Sequence, residues 1–219
     1  YANSLIVGSG STLDLNGLNL YVRAAQLDGN IVGGTVVQTP DSGVLEYGVP
    51  TPGSISVAGE LDEWQFFGRK NHTIAVLVNP GSGNAPAAPA PHLDFAGVEL
   101  VDESGNILVT SSSAGSGAMA IFDNFVLPAD GNYRVRVRAA AGHSGNTGNY
   151  LLTAYDVIVD SAVLNINTRS LGMIETPFSV DRWTFAAASG VQVRFDLINR
   201  TGSSVLFDLI GPNGYVGFN

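Results

Sequence analysis

Along most of the chain, apolar residues recur at every second position. Ile55/Val57, Trp64/Phe66, Ile74/Val76/Val78, Val98/Leu100, Ile107/Val109, Tyr133/Val135/Val137 and Leu151/Thr153/Tyr155 alternate with polar or small residues. That is the period of a strand with one buried face. Turn signals such as Glu103-Ser-Gly-Asn106 and Asp130-Gly131 separate the runs, and seven or eight strands of this kind predict an antiparallel β-sandwich. The first forty-odd residues are cut more finely. Ser4–Val7, Thr12–Leu15, Leu18–Val22 and Gly29–Val37 are broken by Gly-Ser-Gly, Asn16-Gly17 and Asp28-Gly29. Such spacing fits the closing rungs of a parallel β-helix, and a pair of hairpins gives the same signals.

The chain also repeats itself. Gly53-Ser-Ile55 with Asp62-Glu-Trp64-Gln-Phe66 aligns without a gap on Gly172-Met-Ile174 with Asp181-Arg-Trp183-Thr-Phe185, 119 residues later. Val98-Glu-Leu-Val-Asp-Glu-Ser-Gly105 then matches Phe207-Asp-Leu-Ile-Gly-Pro-Asn-Gly214 at an offset of 109, so the first copy holds about ten extra residues. These form the Pro/Ala-rich stretch from Gly83 to Pro91, which reads as an extended loop. Trp64, Phe66, Trp183 and Phe185 alternate in phase, as core residues do, and we expect both tryptophans to be enclosed. The second copy lacks counterparts of Ile121–Val126, Tyr133–Val137 and Leu151–Tyr155. Its half-sandwich is therefore expected to leave Trp183, Phe185, Phe195 and Phe207 uncovered until strands are added from a continuation of the chain or from another copy.

Four blocks carry a family resemblance: Asp62-x-Trp64-x-Phe66; Leu93-Asp-Phe95 leading to Val98–Gly105; Leu127-Pro-Ala-Asp-Gly-Asn-Tyr133; and Gly148-Asn-Tyr150. In this order and spacing they resemble the bacterial pre-peptidase C-terminal (PPC) domain. The resemblance implies a jelly-roll-type β-sandwich appended to secreted proteases and large surface proteins, with collagenase relatives that bind polymeric substrate and calcium. The organisation expected is a β-solenoid-like or hairpin segment over 1–47, a PPC-like sandwich over 48–157 and the first half of a second sandwich over 158–219.

Composition narrows the function. Of 219 residues 45% are hydrophobic and 13% charged, which excludes disorder. A net charge of −9 repels phosphate backbones, so nucleic acid is not an expected partner. No apolar run is long enough to cross a bilayer, and membrane insertion is not expected either. The absence of Cys excludes disulfides and thiolate chemistry. A single Lys in an acidic, Gly/Ser/Thr/Asn-rich chain points to an exported bacterial protein, extracellular or at the cell surface. The opening Tyr1-Ala2-Asn3-Ser4 has neither a basic n-region nor an initiator Met, and reads as the start of a segment.

Candidate chemistry is sparse. Gly142-His143-Ser144-Gly145-Asn146 approaches a nucleophile elbow but has Asn at its fifth position. His72, His92 and His143 show no paired metal spacing. Asp62/Glu63 and Asp102/Glu103 are strand neighbours, whose side chains diverge to opposite faces. An enzyme is therefore not expected, nor an obligatory cofactor. Glu60 and Asp62 at a strand entrance, echoed by Glu175 and Asp181, form a candidate calcium site; the resemblance to collagenase domains adds upstream acids, for which this chain offers only Asp41 and Glu46. Arg134, Arg136 and Arg138 line one strand face and are candidates for gripping an acidic glycan or a neighbouring acidic domain. Exposed tyrosines such as Tyr21, Tyr47 and Tyr215 lie too far apart in sequence to specify a sugar platform. The expected role is a non-catalytic structural or adhesive module of a large secreted or surface protein, partnered by neighbouring domains or copies. The alternative is an accessory module of an exported enzyme that binds polysaccharide or an extracellular protein.

Overall fold

The computed structural model describes residues 1–39, 42–199, 201 and 205–218. Asp41, one of the upstream acids, lies outside them. The chain divides into two compact units, Tyr1–Trp183 and the residues from Thr184 onward. The boundaries drawn from sequence at 47/48 and 157/158 both fall inside the first.

The first unit opens with β1 (Ala2–Val7), β2 (Thr12–Asp14), β3 (Asn19–Leu27), β4 (Asn30–Val32) and β5 (Thr35–Gln38). β1, β3 and β5 pair in parallel, with Ala2 opposite Val22 and Asn19 opposite Thr35, and β2 pairs in parallel with β4. Each coil thus advances by about 16–20 residues, and the segment is solenoid-like, because hairpins would pair antiparallel. The turns between faces are made by Asn16 and Gly17, both at positive φ (47° and 84°). Asp14 accepts the Asn16 N–H at 2.9 Å. Val7, Val22 and Ala24 fill the small interior. Tyr1 stacks on Tyr21 one rung away, with centroids 5.1 Å apart.

The sandwich follows. One sheet runs in the order β11 (Ile107–Ser112), β10 (Ala96–Val101), β13 (Gly131–Ala139), β8 (Asp62–Gly68) and β6 (Ser42–Val44). The other runs β12 (Ala120–Val126), β9 (Thr73–Asn79), β14 (Gly148–Val157) and β7 (Thr51–Ile55). β6, inside the stretch assigned to the solenoid from sequence, joins the sandwich edge in parallel with β8. Every other ladder of the two sheets is antiparallel. Trp64, Phe66, Leu100, Val135 and Val137 from one sheet meet Ile55, Ile74, Val78, Tyr150 and Leu152 from the other in one dry core. In the Asp-Gly-x-Tyr block, the Tyr133 hydroxyl donates to the Ala129 carbonyl at 2.7 Å, and Asp130 accepts the Lys70 N–H at 2.7 Å. That block therefore pins the strand entrance in the manner of a tyrosine corner.

Solenoid and sandwich are tied side by side. The Asn149 amide donates to Ala25 O at 3.0 Å and to Pro89 O at 2.9 Å, while Gln26 accepts the Ala90 N–H at 3.1 Å. The Arg23 guanidinium lies 4.9 Å from the ring centre of Trp64. The Pro/Ala loop is held down by Asn79, which donates to Asn84 O and Pro86 O at 3.1 and 2.7 Å. Beyond the sandwich, β15 (Val159–Val163) pairs with β16 (Val180–Thr184).

In the second unit β17 (Leu209–Ile210) and β18 (Val216–Phe218) form a short antiparallel ribbon around a 3₁₀ turn at Pro212–Gly214. Phe195 meets Phe185 and Phe218 edge-on at 5.2 and 5.9 Å, and Phe207 meets Phe218 at 5.5 Å. Phe207 keeps 51% of its surface exposed. Trp183, in the first unit, and Phe185, in the second, are half-buried rather than enclosed, unlike Trp64 and Phe66.

Candidate functional site

The best-formed polar constellation lies within the sandwich core. Asp62 and Trp64 project from the same face of β8, two residues apart, and Tyr150 projects from β14 across the core. The Trp64 indole N–H donates to the Tyr150 hydroxyl at 3.0 Å, and that hydroxyl donates to Asp62 Oδ2 at 2.6 Å. All three side chains are at most 2% exposed. Hydrogen bonds to a carboxylate in so dry a place are strong and costly to lose. Gly53 makes the arrangement possible: a Cβ there would collide with the Tyr150 Cζ and hydroxyl. Gly148-x-Tyr150 is legible in the sequence as a block, and the joint occurrence of Gly53, Asp62, Trp64 and Tyr150 is the signal of its role.

Glu60 and Asp62 are engaged separately. The Glu60 carboxylate folds back on its own turn, accepting from the Ser56 N–H (2.5 Å), the Ser56 hydroxyl (2.7 Å) and the Val57 N–H (3.0 Å). Asp62 faces the core beneath Tyr150. Its neighbour Glu63 points to the opposite face and receives Arg136 Nε at 2.5 Å and Arg134 at 3.6 Å. Arg138 pairs with the buried Glu99. The arginine stripe is thus matched by a cross-strand row of acids, with Arg134 and Arg136 only 26% and 23% exposed. Asp102 accepts the side-chain and backbone N–H groups of Asn106, which hold its carboxyl below the usual range. Glu46 sits in the exposed link before β7. Tyr47, edge-on to Phe66 at 5.7 Å, has its hydroxyl pushed up to about 12 by burial and by the charge of Asp156.

Ser144 lies in an exposed turn, and the adjacent His143 is stacked on Phe95 at 3.6 Å. His72 meets Asp156 at 3.0 Å, and His92 Nε2 lies 3.0 Å from Ala88 O.

A second constellation occupies the repeat. Glu175, aligned with Ser56, and Asp181, aligned with Asp62, come together with Asp160 of β15, their carboxylate oxygens within 4.8 Å of one another. Asp160 stands 119 residues after Asp41, one of the upstream acids, at the offset of the aligned block. These acids line an open cleft of about 410 Å³ whose other walls include Leu171, Gly172, Met173 and Trp183.

No family model matches the chain, and no curated protein matches it by sequence. Among solved structures it is similar to a periplasmic inhibitor of g-type lysozyme from Aeromonas hydrophila, at 12% identity over 52% of this chain and 95% of that one, TM-score 0.38. It is also similar to the pre-peptidase C-terminal domain of a Bacillus anthracis collagenase, at 16% identity over 54% of this chain and 99% of that one, TM-score 0.38. A mutant of the Escherichia coli lysozyme inhibitor shows 16% identity over 53% and 98% of the two chains, TM-score 0.35. Among the described residues no helix is long and apolar enough to cross a membrane.

Proposed function

We propose that the chain is a non-catalytic structural module of a large exported bacterial protein, in which a PPC-like sandwich is mounted on the flank of a β-solenoid. The observation that carries this is the tie between the two. Asn149, next to the core tyrosine, spends both amide N–H groups on Ala25 of the solenoid and Pro89 of the long loop, and Arg23 lies over Trp64. A buried polar side chain of the sandwich is thus spent on holding it against its neighbour. The arginine stripe supports the same reading, because its charges are matched within the sheet. Extracellular or cell-surface placement, with neighbouring domains or copies as partners, completes the proposal.

Backbone ¹⁵N relaxation tests it. A structural mount gives residues 2–38 and 51–157 one rotational correlation time. Two distinct correlation times would instead favour the alternative, a tethered binding module for polysaccharide or an extracellular protein. Asn149→Ala should speed amide hydrogen exchange in β3 and β5 while leaving the sandwich protected.

A further inference from the structure

The Pro/Ala loop from Gly83 to Pro91 carries no charge and, Asn84 apart, no polar side chain, yet it is anchored along its length through its own backbone. Asn79 donates to the carbonyls of Asn84 and Pro86 at 3.1 and 2.7 Å, and the His92 ring donates from Nε2 to Ala88 O at 3.0 Å. Asn149 donates to Pro89 O at 2.9 Å. Its own N–H goes to Pro91 O at 2.7 Å, and its carbonyl accepts the Leu93 N–H at 3.0 Å. Residues 91–93 thus run parallel to Gly148 and Asn149, where β9 is absent because its ladder with β14 starts at Leu151. The approach is so close that a Cβ on Gly148 would collide with the His92 backbone. The far side of the same loop meets the solenoid. The Ala90 N–H donates to Gln26 at 3.1 Å, and the second N–H of the Asn149 amide reaches Ala25 O at 3.0 Å. Three backbones, those of β3, β14 and the loop, therefore converge on one side chain that is only 3% exposed.

We propose that the loop and Asn149 together form a surface that reads one coil of the β-solenoid, and that the loop is the strap by which solenoid and sandwich move as one body. This rests on the structural-module reading and deepens it by naming the element that makes the mount rigid. What is read is the Ala25 carbonyl and the Gln26 side-chain carbonyl, adjacent on β3. What reads them is the Asn149 amide and the backbone N–H of Ala90. Pro86, Pro89 and Pro91 fix φ at three positions, so the strap loses little freedom when it docks. Alanine and proline side chains bring no donors or acceptors to compete for the loop's own carbonyls. Ala88 is buried beneath the strap, whereas Ala85 and Ala87 are exposed. The strap's length and course matter, and the identity of its outward side chains does not. Arg23 over Trp64 adds a second contact between coil and sandwich. A cation over a ring is less directional than a set of hydrogen bonds, so orientation falls to the strap.

The test compares the whole chain with a variant in which residues 83–90 are replaced by Gly-Ser-Gly, by backbone ¹⁵N relaxation. The expected result is one correlation time for residues 2–38 and 51–157 in the unaltered chain and two in the shortened one, with the near-ultraviolet circular dichroism of the enclosed Trp64 retained. Gln26→Ala keeps the loop and removes its acceptor on the solenoid; amide exchange in β3 should then quicken by about threefold or more. Ala85→Ser and Ala87→Ser should leave that exchange unchanged. One correlation time in the shortened chain overturns the inference. So does unchanged β3 exchange in Gln26→Ala, which decides alone if the shortened chain loses the Trp64 signal, and so does Ala87→Ser loosening β3 as much as Gln26→Ala. Two correlation times in the unaltered chain would overturn the structural mount itself, so the two readings fail on different samples.

Discussion

Asp62-Glu-Trp64-Gln-Phe66 and Asp181-Arg-Trp183-Thr-Phe185 share one spacing and, in this structure, two environments. Trp64 is fully enclosed, its N–H bound to Tyr150, and Phe66 is 4% exposed. Trp183 lines an open cleft, and Phe185 is half-buried. What separates them lies in the strands packed against them. In the first copy β13 pairs with β8 in its own sheet, while β12, β9, β14 and β7 of the opposite sheet cover the face that β8 offers; Trp183, on β16, keeps an open cleft beside it. Burial is thus a property of the covering strand more than of the residue covered, and an alternating pattern marks a face that needs a cover without guaranteeing one.

The comparison breaks most sharply at the tryptophans. Trp64→Ala should cost roughly 3–5 kcal/mol, the loss of a fully packed indole plus its cavity, whereas Trp183→Ala should cost under about 1 kcal/mol. Urea unfolding of the two variants measures the difference, and equal costs would deny the contrast. Tyr150→Phe comes next, at about 1–3 kcal/mol, because it removes the donor to Asp62 and the acceptor of the Trp64 N–H while leaving the ring in place. Asp181→Asn, by contrast, should leave the urea midpoint nearly unchanged, since no tyrosine depends on it here.

A smaller effect separates the matched charges from free ones. Arg136→Ala should cost about 0.5–1 kcal/mol, since the pair is only partly exposed and Glu63 retains Arg134. A double-mutant cycle with Glu63→Ala isolates the coupling. The smallest effect concerns alkaline pH. With the Tyr47 hydroxyl raised to about 12, the native state keeps a proton that the unfolded chain releases near 10. Its contribution is complete below pH 10 and is lost as pH rises toward 12. Tyr47→Phe should flatten that part of the stability profile. The same offset places Ile166 opposite Tyr47 in the second copy, so no titration of this kind arises there.

The candidate sites were unevenly legible. Glu60 and Asp62 are adjacent in pattern, but Glu60 is captured by the amides of its own turn and Asp62 by a tyrosine 88 residues away. Glu175 and Asp181 converge, and their third partner Asp160 arrives from β15 through pairing that no local signal encodes. The arginine stripe was visible as a strand face. Its acids were not assigned to it, because Glu63 and Glu99 are brought alongside by the registers Glu63↔Arg136 and Glu99↔Arg136.

The sequence by itself determined the all-β class and the sandwich strands with their inward residues. Period-two alternation and turn chemistry are local properties, and they survive translation into structure. Only the tertiary structure decided that the opening rungs pair in parallel, that β6 crosses to the sandwich edge, that Asn149 ties solenoid to sandwich, and that Trp183 faces an open cleft. Each of these depends on which distant strand lies alongside, and a strand's own residues specify that it needs a neighbour far more clearly than which neighbour it obtains.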